Sequence, residues 1–168
     1  TIALGLAMSA ARLHKRVLLI DADLRRPNLH EQLRLSNEEG FSTLLKNGSA
    51  LQYQSSIHEF RNISILTSGP RPEDPAALLS SSQMRELIKF FEQNYDLVVL
   101  DVPPVLGIVD ALLTASYCSG VVLVGRIGHT RRTEFRDAVN LLSKLNVIGV
   151  VANGVEFSKK RYQSYGYY

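Results

Sequence analysis

An α/β fold built on a mostly parallel sheet, with helices on both faces, is predicted by three observations. Short runs apolar on both faces, Arg16-Val-Leu-Leu-Ile20, Leu97-Val-Val-Leu100 and Val147-Ile-Gly-Val-Val151, read as buried strands. Stripes at helical spacing lie between the strands, and strand alternating with helix favours parallel neighbours joined by crossovers. Two strands run directly into aspartate, Asp21 and Asp101, at the end of the sheet where open parallel sheets bind their ligands.

The elements follow in order. From Ile2 to about Leu13 small and apolar residues suit a helix packed closely on a sheet, although it reads as starting without a cap or a strand before it. A segment upstream of Thr1 is therefore expected. The first strand, ending at Ile20, gives way to a polar loop, Asp21 to Asn28. Leu29 to Leu35 and Phe41 to Leu45 are short helical pieces around Gly40, and Ile63-Ser-Ile-Leu66 is a second short strand. Gly69-Pro-Arg-Pro-Glu-Asp-Pro75 is expected to be irregular, because three prolines remove donors and fix the backbone. Ser80-Ser-Ser82 offers capping oxygens for a helix whose Met84, Leu87, Ile88, Phe91 and Tyr95 share one face. After the strand Leu97 to Leu100 come Val102-Pro-Pro104 and a short helix near Asp110 to Ser116. Gly120-Val-Val-Leu-Val124 is a strand, Phe135, Ala138, Val139, Leu142 and Leu145 form a helical stripe, and Val147 to Val151 is the final strand.

Composition narrows the function. At 168 residues, 45% hydrophobic and 21% charged, the chain suits one globular domain, 1–157, followed by a tail, 158–168. The net charge of +3 is spread along the chain, with small clusters at Arg25-Arg26, Arg131-Arg132 and Lys159-Lys160-Arg161, which speaks against nucleic acid as a partner. A single cysteine, Cys118, excludes an internal disulfide framework, and the four histidines have no zinc-like spacing. No stretch reaches the roughly 20 apolar residues of a spanning helix.

The chemistry is concentrated in carboxylates. Asp21-Ala-Asp23-Leu-Arg25 follows one strand and Asp101-Val-Pro103-Pro104 another. One aspartate after a strand commonly caps a helix or makes a turn. Three at two strand ends, with an arginine beside them, suit a hard divalent cation that keeps waters while it bridges phosphates.

These segments resemble the Walker A-prime and Walker B motifs of the bacterial tyrosine kinases associated with capsule and exopolysaccharide export, within the P-loop ATPase superfamily. Pro72-Glu-Asp-Pro75-Ala-Ala-Leu78-Leu79, Asp110-Ala111, Val124-Gly-Arg126 with Thr130, the strand end Gly149 to Asn153 and the tyrosine tail follow in the family's order. The resemblance implies a P-loop NTPase-like sheet and use of ATP with Mg2+. Asp101 would hold the metal through water, and Asp21 and Asp23 would line the reacting phosphate, Asp23 also near the metal. One of these two would orient or deprotonate a tyrosine hydroxyl, whose ordinary pKa of about 10 leaves little phenolate at neutral pH. Arg25 would steady the acidic pair or a phosphate oxygen, or serve only as an ion-pair residue. Pro103 would shape the nucleotide site, and Asn153 would contact adenine or close a turn. The family's Gly-x-x-x-x-Gly-Lys-Ser/Thr loop is absent from the chain as written. In register Thr1 stands at or just after its end, so the first strand and the phosphate loop are expected upstream.

The final residues supply the acceptors. Tyr162, Tyr165, Tyr167 and Tyr168 are four of the chain's seven tyrosines, in a tail with almost nothing to build a core. Lys159, Lys160 and Arg161 precede them, so the tail would be drawn into the acidic crevice of a neighbouring copy. Four phosphates would add roughly −6 to −8 charge and reverse that attraction. The resemblance implies a ring-like homo-oligomer phosphorylating in trans, a membrane chain-length-determinant or activator region in cis or in trans, a tyrosine phosphatase, and a place at the cytoplasmic face of the bacterial inner membrane. Two other readings stay open: a switch ATPase of the partition or division-site type, which does not explain the tail, and a catalytically silent module.

Overall fold

The computed structural model describes residues 1–47 and 50–155. Its contacts divide the chain into two compact units, Thr1–Cys118 and Ser119–Tyr168. In the first unit, strand β1 (Val17–Asp21) is buried at every position. It pairs in parallel with β3 (Ile63–Leu66) on one side and β4 (Leu97–Asp101) on the other. That is why its sequence is apolar on both faces. An antiparallel edge strand, β2 (Ile57–Phe60), completes the order β2-β3-β1-β4, so the sheet is mixed.

Helices cover both faces. Helix α1 (Ile2–Ala11) brings Ala7 against Val17 and Leu19, and helix α2 (Leu29–Leu33) adds Leu29 to that cluster. On the other face Leu18 and Ile20 meet α3 (Phe41–Asn47), α4 (Pro75–Leu79) and α5 (Ser82–Asn94), with Phe41, Leu79 and Phe91 fully buried. Helix α6 (Asp110–Ala115) contributes Leu113 to the edge of this core. The second unit pairs β5 (Val121–Arg126) with β6 (Val147–Asn153) in parallel, and in its helix α7 (Arg132–Leu141) Ala138 is buried.

Four expectations are corrected. Helix α1 is capped after all: the Thr1 hydroxyl accepts from the Leu4 N–H at 3.1 Å. Strand β2 escapes the sequence pattern because it is a short edge strand with His58 and Glu59 at its middle. Arg61 and Asn62, at φ 49° and 64°, turn it into β3 in the left-handed geometry that two-residue hairpins favour. The proline-rich segment is irregular only as far as Asp74, whose carboxylate accepts from the Ala77 N–H at 3.1 Å, while Pro75 opens α4 at the position where a missing N–H costs nothing. In the second unit Val139 is 42% exposed, and α7 ends before Leu145.

Gly40 is required by close packing. The Phe41 and Ser42 N–H groups donate to the Thr67 and Ser68 carbonyls at 2.8 Å each, docking the start of α3 on the loop after β3. A Cβ at Gly40 would stand 2.3 Å from both the Gly69 nitrogen and the Thr67 oxygen, which are backbone atoms with little room to yield. Gly40→Ala is expected to lower the unfolding free energy by about 2 kcal/mol, the usual scale of overpacking, measured by urea denaturation. An unchanged midpoint would refute this reading of the contact.

Candidate active site

The alternation of β1 continues past its end. Ala22 and Leu24 stay with Leu18 and Ile20 in one core cluster, which leaves Asp21 and Asp23 on the alternate positions. Asp21 stands in register with Asp101 of the neighbouring strand, and the Ala22 N–H donates to the Asp101 carbonyl at 2.8 Å. Two carboxylates are thereby set side by side at the carboxyl end of the sheet.

Their partners give them different work. Asp21 is 3% exposed, and both its oxygens are occupied: Oδ1 accepts from Asp23 N–H at 3.2 Å, and Oδ2 from Asn28 and Leu29 N–H at 3.2 and 3.0 Å. It folds the loop and satisfies the start of α2. Asp23 is only half-buried. Its Oδ1 accepts from Arg25 N–H at 3.2 Å and Arg26 N–H at 2.9 Å, while among the described residues its Oδ2 accepts nothing. Arg25 turns away from this free oxygen. Its Nε and Nη2 donate to Asp110 Oδ2 and Oδ1 at 2.7 and 3.0 Å, in the fork geometry that suits a carboxylate.

Asp101 stands on the neighbouring strand, in register with Asp21. Burial holds its carboxyl above the ordinary carboxylate range, against the pull of the Thr1 side chain and of the N-terminal amine charge, and repulsion from Asp23 adds to the rise. Burial likewise raises Asp21, against the pull of the three backbone N–H groups, and Asp101 repels it. Pro103 is buried in the loop after β4, where it fixes the backbone instead of presenting a surface. Among the described residues no group of three or more His, Cys, Asp or Glu gathers as a metal-ligand set. Magnesium commonly takes only one or two carboxylates beside waters and substrate phosphates, so the Asp101 carboxylate next to the Thr1 hydroxyl is a donor pair of the right hardness and number.

Asn153 lies in the second unit, at the last position of β6 and in register with Arg126. Its Oδ1 accepts from Gly154 N–H at 2.8 Å and its carbonyl from Ile127 N–H at 2.9 Å, the bonds of a residue that closes a turn. The four tail tyrosines lie outside the described residues. Two structural parts of the site were not foreseen. Asp110 is fully buried as the partner of Arg25. Asn37 clamps the loop after β3, donating to the Gly69 carbonyl at 2.9 Å and accepting from its N–H at 2.8 Å. A cleft of about 540 Å³ lies elsewhere, at the amino ends of the strands among Arg16, Ser64 and Tyr95. It contains none of the aspartates.

Comparison with known proteins places these features. The model of the AAA domain, an ATPase class, matches residues 1–125. The tyrosine-protein kinase YwqD of Bacillus subtilis is 38% identical over 170 residues, covering 100% of this chain and 71% of that protein. The tyrosine-protein kinase Wzc of Salmonella typhimurium is 31% identical over 98% of this chain, which spans only 23% of it. The crystal structure of the chimerical protein CapA2B2 superposes with a TM-score of 0.88 at 33% identity, over 93% of this chain and 70% of that one. The fold and the aspartate site thus define a P-loop ATPase-type domain. The chain belongs to the bacterial tyrosine-protein kinase family and corresponds to its catalytic domain.

Burial of Asp101 carries a pH signature. An acid whose folded pKa is raised binds more protons folded than unfolded between its two values, so stability falls as pH rises through that window, and the penalty is fully present at neutral pH. Asp101→Asn, which keeps the shape and removes the charge, is expected to raise Tm at pH 7 by about 2 °C or more in this isolated chain. The gain should shrink as the pH is lowered towards 4. A lower Tm at pH 7 would overturn the assignment.

Proposed function

We propose that this chain carries the catalytic machinery of an ATP-dependent tyrosine autokinase that phosphorylates copies of itself in trans and thereby regulates polymerisation and export of an exopolysaccharide or capsule. The observation that supports it best is the division of labour among the carboxylates. Asp21 is saturated by backbone N–H groups, while Asp23 keeps its Oδ2 without a partner among the described residues.

On this reading the Asp23 Oδ2 accepts the proton of the tyrosine hydroxyl as the phenolic oxygen bonds to the γ-phosphorus of ATP and the bond to the β-phosphate oxygen breaks, releasing ADP. Asp101, through water, and Thr1 would hold Mg2+, which offsets the charge of the phosphates when bound. Asp21 keeps the loop in shape and does no proton transfer. Asn153 closes its own turn, and contact with the adenine of ATP is the role proposed for it. The acceptors are Tyr162, Tyr165, Tyr167 and Tyr168, delivered by a neighbouring copy in a ring-like assembly whose basic tail is drawn to the acidic site. A membrane activator region and a tyrosine phosphatase complete the cycle at the cytoplasmic face of the inner membrane. Among the described residues no helix is long and apolar enough to cross a membrane.

The test uses the protein that carries this sequence at its natural length, with ATP and Mg2+. Phosphotyrosine is expected in the tail peptide by mass spectrometry, and Asp23→Asn and Asp101→Asn should each reduce its rate of formation at least about 100-fold. No phosphotyrosine in the parent, or undiminished signal in both variants, would refute the assignment. Replacing all four tail tyrosines with Phe should abolish the signal and leave the assembly intact in ATP, read by light scattering; dissociation like that of the parent would overturn the proposed role of the tail.

A further inference from the structure

Resting on the kinase reading, we infer that Asp110 is a positioning residue: its buried carboxylate, through the Arg25 fork, sets the loop that aims the free oxygen of Asp23.

Every bond made by the Asp21 and Asp23 carboxylates to described residues lies within the segment 21–29. These bonds shape the segment but do not fix it to the rest of the domain. Ala22 and Leu24 anchor it from the core side. On the other side the Arg25 fork reaches an element 85 residues away in sequence, the first turn of α6. Asp74, the cap of α4, and Asp23 also act on the Arg25 charge. Three segments that leave the core at different points are thus gathered around one guanidinium.

The burial is uneven, and this is informative. The Asp110 side chain is 1% exposed and that of Arg25 36%. A buried carboxylate is costly unless paired, and an apolar residue of similar size is commonly as good for stability alone. Geometric specificity is what a two-point fork adds: a planar guanidinium held at Nε and Nη2 has its orientation fixed, and the backbone that carries it moves little. The Arg25 N–H is one of the two donors that hold Asp23 Oδ1, at 3.2 Å. Displacing the Arg25 backbone would therefore rotate the Asp23 carboxylate and exchange the oxygen that is engaged for the one that is free. Asp110 does not touch the reacting atoms; it acts by keeping that choice single.

Asp110→Asn retains the shape and removes the charge, and is compared with the parent in the natural-length protein. Amide hydrogen exchange in the segment 21–29 is expected to accelerate at least about tenfold, with the amides of β1, β3 and β4 unchanged. The rate of tyrosine phosphorylation at saturating ATP should fall about tenfold or more while the KM for ATP stays within twofold. Arg25→Gln, at the more exposed end of the pair, should reproduce both effects and serves alone if Asp110→Asn does not fold; the double variant should lose no more than either single one. Exchange and rate within twofold of the parent would overturn the inference, as would a raised KM with an unchanged saturated rate, which would make Arg25 an ATP contact. Exchange needs no activity, so a parent without kinase activity would sink the proposed function while the loop measurement still decides the role of Asp110.

Discussion

The Asp21 carboxylate is the group around which the rest of the site is arranged. It sits at the end of a strand buried on both faces, where a charge out of water is costly unless hydrogen bonds replace its hydration. The donors that meet it come from residues 23, 28 and 29. To supply them the chain must curl back within eight residues of the strand end. That requirement forms the loop, starts α2 and leaves Asp23 at its outer side. The geometry of the carboxylate proposed to react is thus a consequence of satisfying a different one.

The electrostatics of the strand ends set stability against use. Asp21 repels Asp101 and is repelled by it across the β1–β4 pair, and Asp23 adds to the burden on Asp101. The nearby Arg25 has its fork committed to Asp110. The uncompensated negative charge near Asp101 is what a hard cation or a basic peptide would neutralise, so the feature that weakens the domain is the one that suits it to bind.

Much of this was legible in the sequence where one pattern had one physical cause. Strands β1 and β4 were read because both of their faces are covered, and α5 because Met84, Leu87, Ile88 and Phe91 line a single stripe beside Ser81, whose hydroxyl accepts from Met84 N–H at 3.2 Å. The aspartates were found because they end those strands. What stayed hidden depended on partners distant in sequence. Asp21 and Asp23 look alike as letters, and only the folded loop separates the saturated carboxylate from the free one. Asp110 gave no sign of lying under Arg25, since an aspartate opening a helix is usually a cap. Val139 fitted the stripe of α7 by spacing alone, but its position on the helix faces solvent.

The carboxyl ends of the three parallel strands in the first unit are each secured by a different device. The loop after β3, whose Thr67 and Ser68 are buried, is clamped by Asn37 and by the glycine contact at Gly40. The loop after β1 is tied by its own carboxylates and by Asp110. After β4, Pro103 restricts the backbone while Thr1 lies against Asp101. Buried polar bonds of this kind give sharp geometry and little freedom to adapt. A site built so rigidly cannot wrap itself around several different tyrosines. In the proposed reaction adaptability would then have to come from the acceptor, which would bring one tyrosine hydroxyl after another to the same fixed oxygen.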